Sequence, residues 1–400
     1  MQNEKVMAVT LIRSDLCNTQ GYIGGYLTLP VSRGEIQDAL DRARIKDDQP
    51  YQMVDCYVIQ HEELDITQEK LSLEELNFLA YRISKLSECE RLAFIGGAMI
   101  DKTQNDMRRL INLTYNLVDI RVIPASNDYE LGEFFVDNDF IEAISHVPPE
   151  YQDELLELLD YKKIGYKQRI SENGIFYNGY YVMNDADTIN QVYDGIHLPE
   201  LPSEQSYVFE VEIANAFDIE NDEMEKRTLL LLPVTEKEMF AALKKVDAES
   251  LDECLLYHYE TPFPTLQQVF PFDVDIDKMN LLAERIRELE TAGELSKFKA
   301  ALEFTDCSYI DQVLDLTQNL DCYDFYPELS SVEDYAKREF INRYQIPESE
   351  PILKIFQYYQ SDPNDMKAVN ITPTPYGIIR RNDHEMKLEH SAGLTGLYMT

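Results

Sequence analysis

The chain has 400 residues, and 36 Lys and Arg against 74 Asp and Glu leave a net charge of −38 at neutral pH, which excludes a surface built to bind phosphate backbones. Hydrophobic residues make up 44% and include 17 Phe and 26 Tyr without any Trp, so disorder throughout is excluded and there is room for two or three domains with their own cores. Such acidity fits a halophilic protein, a calcium-loaded protein, or one whose acidic surface enters a basic groove.

In chain order, the N-terminus lacks a cationic region followed by an apolar stretch, and no apolar run approaches the ~20 residues needed to cross a bilayer. A soluble, cytoplasmic protein is the expectation. The first β-prone run, Tyr26 to Ser32 (YLTLPVS), ends at Pro30. Ser32-x-x-Glu35 then forms a capping-box pattern, which predicts a helix carrying Ile36 and Leu40 on one face. A short strand is predicted at Asp55 to Gln60, and a second helix along Leu76, Leu79, Ala80, Ile83 and Leu86. Further on, the pattern predicts a tyrosine-bearing acidic helix from Glu154 to Tyr161 and a Gly-containing hairpin from Asn173 to Val182.

The same series then starts again. A shift of 233 − 30 = 203 residues places YLTLPVS on LLLLPVT (Leu229 to Thr235), with Thr235-x-x-Glu238 as the second capping box and Met239 and Leu243 on the helix behind it. It also places Asn77 on Asn280, since 280 − 77 = 203, LINLTYNL (Leu110 to Leu117) on VLDLTQNL (Val313 to Leu320), and Pro124 on Pro327. Cys254 to Tyr259 repeats the short strand, and Ile355 to Gln360 followed by PTPYGIIRR (Pro373 to Arg381) loosely repeats the closing helix and hairpin. The organisation expected is therefore repeat 1 over residues 1–185, a Pro- and Ser-bearing linker over 186–207, repeat 2 over 208–381, and a polar tail over 382–400 that frays.

Six cysteines show no CxxC pair and no framework spacing, so reduced thiols are expected. Six histidines are scattered without an HExxH motif, and no Walker lysine loop, GxGxxG or GxSxG motif occurs. Asp273, Asp275, Asp277 and Glu284 have the spacing of a calcium loop, but Lys278 stands where the turn needs Gly, so Asp275 or Asp277 is better read as a helix cap. No catalytic residue, metal ligand or cofactor-binding residue is predicted, and no cofactor.

YLTLPVS, the Leu76 to Leu86 helix and HVPPEYQDELLELLDYKKIGY (His146 to Tyr166) together resemble the ArdA-type antirestriction proteins of plasmids and conjugative transposons. LLLLPVTEKEMFAAL, LLYHYETPF and IFQYYQ resemble them a second time. The resemblance implies an elongated α+β protein made of two tandem ArdA-like units, each with small mixed α/β subdomains. It implies a DNA mimic whose carboxylates occupy the DNA-binding groove of Type I restriction-modification enzymes, without turnover of a substrate. Where the family usually has Gly-Arg-Asp after the tyrosine-rich helix, this chain has Gly165, Tyr166 and Lys167. Family members pair as homodimers, and either the tandem copy replaces that pairing or each chain dimerises again.

The physical requirement for mimicry is a collective one: 38 net charges would match roughly 65 Å of duplex at one charge per ~1.7 Å. The candidate partner-binding carboxylates in the first half are Glu62, Glu63, Asp65, Asp128, Glu130, Glu133, Asp137, Asp139, Glu150, Asp153, Glu154, Glu157 and Asp160. In the second half they are Asp218, Glu220, Asp222, Glu223, Glu284, Glu288, Glu290, Glu294, Asp321, Asp324, Glu328, Glu333 and Asp334. The expected partner is a restriction-modification complex or another defence nuclease, such as a CRISPR effector, met through its basic groove. Nucleic acid and membrane are not expected partners. An acidic intracellular enzyme and a structural adaptor of a mobile element are the competing classes. The clusters Tyr177, Tyr180, Tyr181 and Tyr358, Tyr359 suit either core packing or a partner surface.

Overall fold

Two sequence signals, a strand that stops at proline and a capping box behind it, determine how each half of the chain begins. In the computed structural model, strands β1 (Met7–Arg13) and β2 (Gly25–Leu29) lead through a cis Leu29–Pro30 bond to helix α1 (Arg33–Arg42). Ser32 accepts from the Glu35 amide, and Glu35 reaches back to the Ser32 amide. In the second half β8 (Phe209–Asn215) and β9 (Arg227–Leu232) lead through a cis Leu232–Pro233 bond to a second such helix, Glu236–Lys245, with Thr235 and Glu238 as the same box. The structure describes residues 4–19, 22–46, 49–66, 72–101, 106–138, 140, 148, 151, 156, 158–185, 190–199, 207–217, 226–268, 270, 275–305, 307–354 and 371–391.

After α1 come β3 (Tyr51–Val58), β4 (His61–Asp65), α2 (Leu73–Ser84), α3 (Glu88–Asp101), α4 (Met107–Leu113) and β5 (Ile120–Ile123). Then follow α5 (Asp128–Asp137), α6 (Tyr161–Glu172), β6 (Ile175–Tyr177) and β7 (Tyr180–Asn184). The second half continues from its capped helix, α7 (Glu236–Lys245), with β10 (Cys254–Glu260), α8 (Ile276–Ala292), α9 (Leu295–Thr305), α10 (Ile310–Gln318) and β11 (Tyr323–Tyr326). It closes with α11 (Val332–Tyr344), β12 (Ile371–Thr374) and β13 (Gly377–Arg381). The chain is thus mixed α/β with small sheets, in the orders β2-β1-β3-β4, β5-β7-β6, β10-β8-β9 and β11-β13-β12. Every strand pair of the last three is antiparallel.

Starts at Arg33 and Glu236, Tyr51 and Cys254, Leu73 and Ile276, Met107 and Ile310, and Ile120 and Tyr323 are all 203 residues apart. An asparagine bracket recurs at the same interval. Asn77 accepts from the Val31 amide and donates to the Val31 carbonyl, and Asn280 makes both bonds to Val234. The Asp275 carboxylate caps α8 by accepting from the amides of Asp277 and Lys278, the capping role expected there.

Residue contacts divide the chain into two units: residues 1–10, 28–31 and 53–203, and residues 11–27, 32–52 and 204–400. In the first unit Ile123, Leu131, Phe135, Tyr181 and Met183 pack together. Glycine is required where α5 meets α6, because a Cβ on Gly132 would lie 1.8 Å from the Tyr161 carbonyl oxygen and one on Gly165 would lie 1.9 Å from that of Asp128. In the second unit one core runs from Phe209 on β8 to Ile379 on β13, with Met279, Leu282, Phe298 and Leu316 wholly buried.

Two expectations are altered. The predicted helix from Glu154 to Tyr161 lies largely outside the described residues, and the helix that is described begins where it was to end, at Tyr161, capped by Asp160. Its repeat at Ile355 to Gln360 lies outside the described residues altogether. Residues Asn382 to Ser391, expected to fray, are instead bound: the Asn319 side chain accepts from the Lys387 amide and donates to its carbonyl, while Asp315 accepts from the amides of Glu389, His390 and Ser391. Residues 392–400 lie outside the description.

Candidate partner interface

The candidate carboxylates fall into three groups by what they already bind. Some are parts of the fold. In the first unit Asp128 is gripped from two directions by Arg169, at 2.8 and 3.2 Å, which ties the start of α5 to α6. Glu130 accepts from the Ser126 amide and hydroxyl and from Asn127, which hold its carboxyl below the ordinary range. Asp160 caps α6 through the Lys163 amide. In the second unit Asp324 takes Arg380 at 2.7 Å, and those bonds with one from Asn382 outweigh burial, the largest single influence, to lower its pKa. Glu328 pairs with Arg338, and Asp334 closes the capping box of α11 with Ser331.

A second group is paired only on the open surface. Glu288 meets Arg285 at 2.9 Å and Glu290 meets Arg287 at 2.7 Å along α8, each three residues apart, and Asp321 lies 3.8 Å from His384. Exposed pairs of this kind are worth little and leave the carboxylates accessible to a stronger cation. Glu284 is exposed and, among the described residues, receives only a 3.4 Å contact from Asn280.

A third group has neither salt bridge nor side-chain hydrogen bond among the described residues: Glu62, Glu133 and Asp137 in the first unit, and Glu294 and the half-buried Glu333 in the second. The side chains of Glu63 and Asp65 lie outside the described residues, as do Asp139, Glu150, Asp153, Glu154, Glu157, Asp218, Glu220, Asp222 and Glu223.

On α8, Glu284, Glu288 and Glu290 cover six residue steps, or about 9 Å at a helical rise of about 1.5 Å, and Glu294 lies just beyond the Gly293 cap. One DNA strand carries a charge every ~3.4 Å, so the helix approaches that density before Arg285 and Arg287 are counted and falls below it afterwards. No single helix therefore reproduces a phosphate backbone; whatever acts as one must be assembled from several elements.

Of the tyrosine clusters, Tyr181 is wholly buried and donates to Glu172 at 2.8 Å, and Tyr177 is buried with its hydroxyl 2.6 Å from His61 Nδ1. Both belong to the core, while Tyr180 is 36% exposed. Tyr358 and Tyr359 lie outside the described residues.

No protein-family model matches the chain, and no curated protein matches it at a significant level. Among the described residues no group of three or more His, Cys, Asp and Glu could hold a metal ion, and no helix is long and apolar enough to cross a membrane.

Sequence reasoning missed the carboxylates that are buried. Asp38, 1% exposed, takes Lys299 at 2.9 Å, Arg42 at 2.9 Å and the Tyr376 hydroxyl at 3.0 Å, while Asp41 takes Lys299 at 2.7 Å, all within the second unit. Asp315, 0% exposed, holds residues 389–391. Asp38 and Asp41 sit on a short amphipathic helix where a solvated face is the ordinary reading. Asp315 gave no signal either, because Ile310, Val313, Leu314 and Leu316 form the apolar stripe of α10 and Asp315 stands opposite it, where a solvated face is again the ordinary reading.

Proposed function

We propose that the chain consists of two ArdA-type units in tandem and acts as a cytoplasmic DNA mimic, a stoichiometric inhibitor that occupies the DNA-binding groove of a Type I restriction-modification enzyme and turns over no substrate. The observation that carries this reading is the charge of −38, together with exposed carboxylates that pair with no cation among the described residues. The tandem reading is supported by five element starts 203 residues apart, by the paired prolines and capping boxes, and by the two asparagine brackets.

The mechanism is phosphate recognition with the roles exchanged. Lys and Arg lining a groove meet carboxylates held on a folded surface, and long-range attraction accelerates encounter. Glu62, Glu133, Asp137, Glu294 and Glu333 are the best groups for testing it, because replacing them breaks no described bond. Reversing all five to Lys changes the net charge by ten and lowers inhibition of a purified Type I enzyme at least tenfold; undiminished inhibition, with the variant still folded, rejects the reading. Inhibition of a CRISPR effector without any of a Type I enzyme keeps the mimicry and changes the target.

A further inference from the structure

One cavity inverts the chemistry of the surface around it. It encloses about 240 Å³ in the first unit and is lined by Arg108, Arg109, Asn112 and Gln191. Arg108 and Arg109 are adjacent exposed residues of α4, and Gln191 belongs to the segment Asn190 to Tyr193 that runs back along that helix. Among the described residues no carboxylate lines it, in a chain where acids outnumber bases 74 to 36.

The donors and acceptors around the cavity are unbalanced in one direction. Asn112 is 3% exposed, and its Oδ1 accepts from the amides of both Val192 and Tyr193. One hydrogen of its Nδ2 goes to the Tyr193 carbonyl, and the other has no acceptor among the described residues. A buried amide thus has its acceptor side consumed by the chain and a donor left over. Arg108 has no hydrogen bond or salt bridge among the described residues, and Arg109 has only Asp106 at 3.7 Å, outside hydrogen-bonding distance, with both side chains well exposed. The nearby segment's own carboxylate, Asp194, is committed to its turn by the amides of Ile196 and His197 and by His197 Nδ1. Gly195, at φ +93°, lies against the Arg108 stem, where a Cβ would approach Cδ to 3.2 Å.

We propose that this cavity is a binding site for a small phosphate-type oxyanion, either free phosphate or the terminal group of a phosphomonoester. Two guanidinium forks offer paired, directional donors, and such charge-assisted bonds are about twice as strong as neutral ones. The net negative charge opposes entry, but charges farther off than the screening length of about 8 Å at physiological salt are largely screened, whereas the arginines act at contact distance. The cavity is too small for a drug-sized ligand, for which about 300 Å³ is a lower bound. The second half offers an internal contrast: the positions 203 residues on are Asp311, Gln312 and Asp315, and Asp311 is already paired with Lys278. The site belongs to the first half alone.

The test is the ³¹P line width of inorganic phosphate, and separately of glycerol 3-phosphate, titrated against the full chain at ionic strength fixed with sodium chloride. Saturable broadening is expected. Broadening of both probes assigns recognition to the phosphate group, and of one alone to that source. Arg108→Gln with Arg109→Gln weakens binding at least tenfold, while Arg108→Lys with Arg109→Lys, which keeps charge but not the fork, gives a smaller loss. Circular dichroism verifies that both variants are folded. Absence of saturable broadening with the unaltered chain, or equal broadening with the double Gln variant, overturns the proposal.

Discussion

Asp315 shows how a carboxylate in so acidic a chain can serve structure rather than surface. Burial is the largest influence on it and disfavours its charge, yet the Ser391 hydroxyl and the amides of His390, Ser391 and Glu389 together outweigh burial and hold its pKa below 3.8. A group depressed in the folded state contributes stability that is complete above its unfolded value and is lost as the pH falls through its folded value. Asp315→Asn should therefore cost about 1.5–3 kcal/mol at neutral pH, where bonds to a charged acceptor are lost, and the penalty should shrink as the pH drops below 4. Urea unfolding at several pH values measures both; a penalty independent of pH would mean that the charge of Asp315 does not hold residues 389–391.

Between elements, close approach and buried charge dominate. Gly132 and Gly165 let α5 and α6 meet backbone to backbone, so Gly132→Ala or Gly165→Ala should destabilise the first unit by about 1–3 kcal/mol or more, read from denaturant midpoints. Gly165 was legible in the sequence only as the glycine kept where Tyr166 and Lys167 depart from Gly-Arg-Asp; its packing role required the partner helix, which no local pattern supplies. Lys299, 3% exposed between Asp38 and Asp41, is the complementary case. Lys299→Met should cost about 3 kcal/mol, because it leaves Asp41 without its cation and Asp38 with Arg42 alone. Adding Asp38→Asn and Asp41→Asn should restore most of that loss, and a triple variant no more stable than the single one would contradict the pairing. Neither Asp38 nor Lys299 stood out beforehand, because their contact spans 261 residues and depends on α1 falling within the second unit.

At the scale of the molecule, what was legible came from local chemistry repeated at one interval. The prolines, capping boxes and Asn77 with Asn280 each carry their own geometric requirement, so the strands, helices and their 203-residue spacing could be read ahead. Helices α3 and α6 were not, because Gly96 and Gly97 in α3, and Gly165 with a charged face over tyrosines in α6, weaken the usual periodic signal. The acidic surface was legible as a total but not as a pattern. Asp128, Asp324 and Glu130 read the same as Glu133 in the sequence, and only their partners distinguish structural carboxylates from available ones. The central claim is therefore about competition for a groove, and displacement tests it most directly. A purified Type I enzyme holding a labelled DNA duplex is titrated with the full chain at increasing salt. Mimicry predicts that the protein releases the DNA competitively and that its apparent affinity falls by about a thousandfold or more between 50 and 200 mM salt, as for a ligand making six to ten phosphate-like contacts. DNA that stays bound at saturating protein, or release that does not depend on salt, would contradict it.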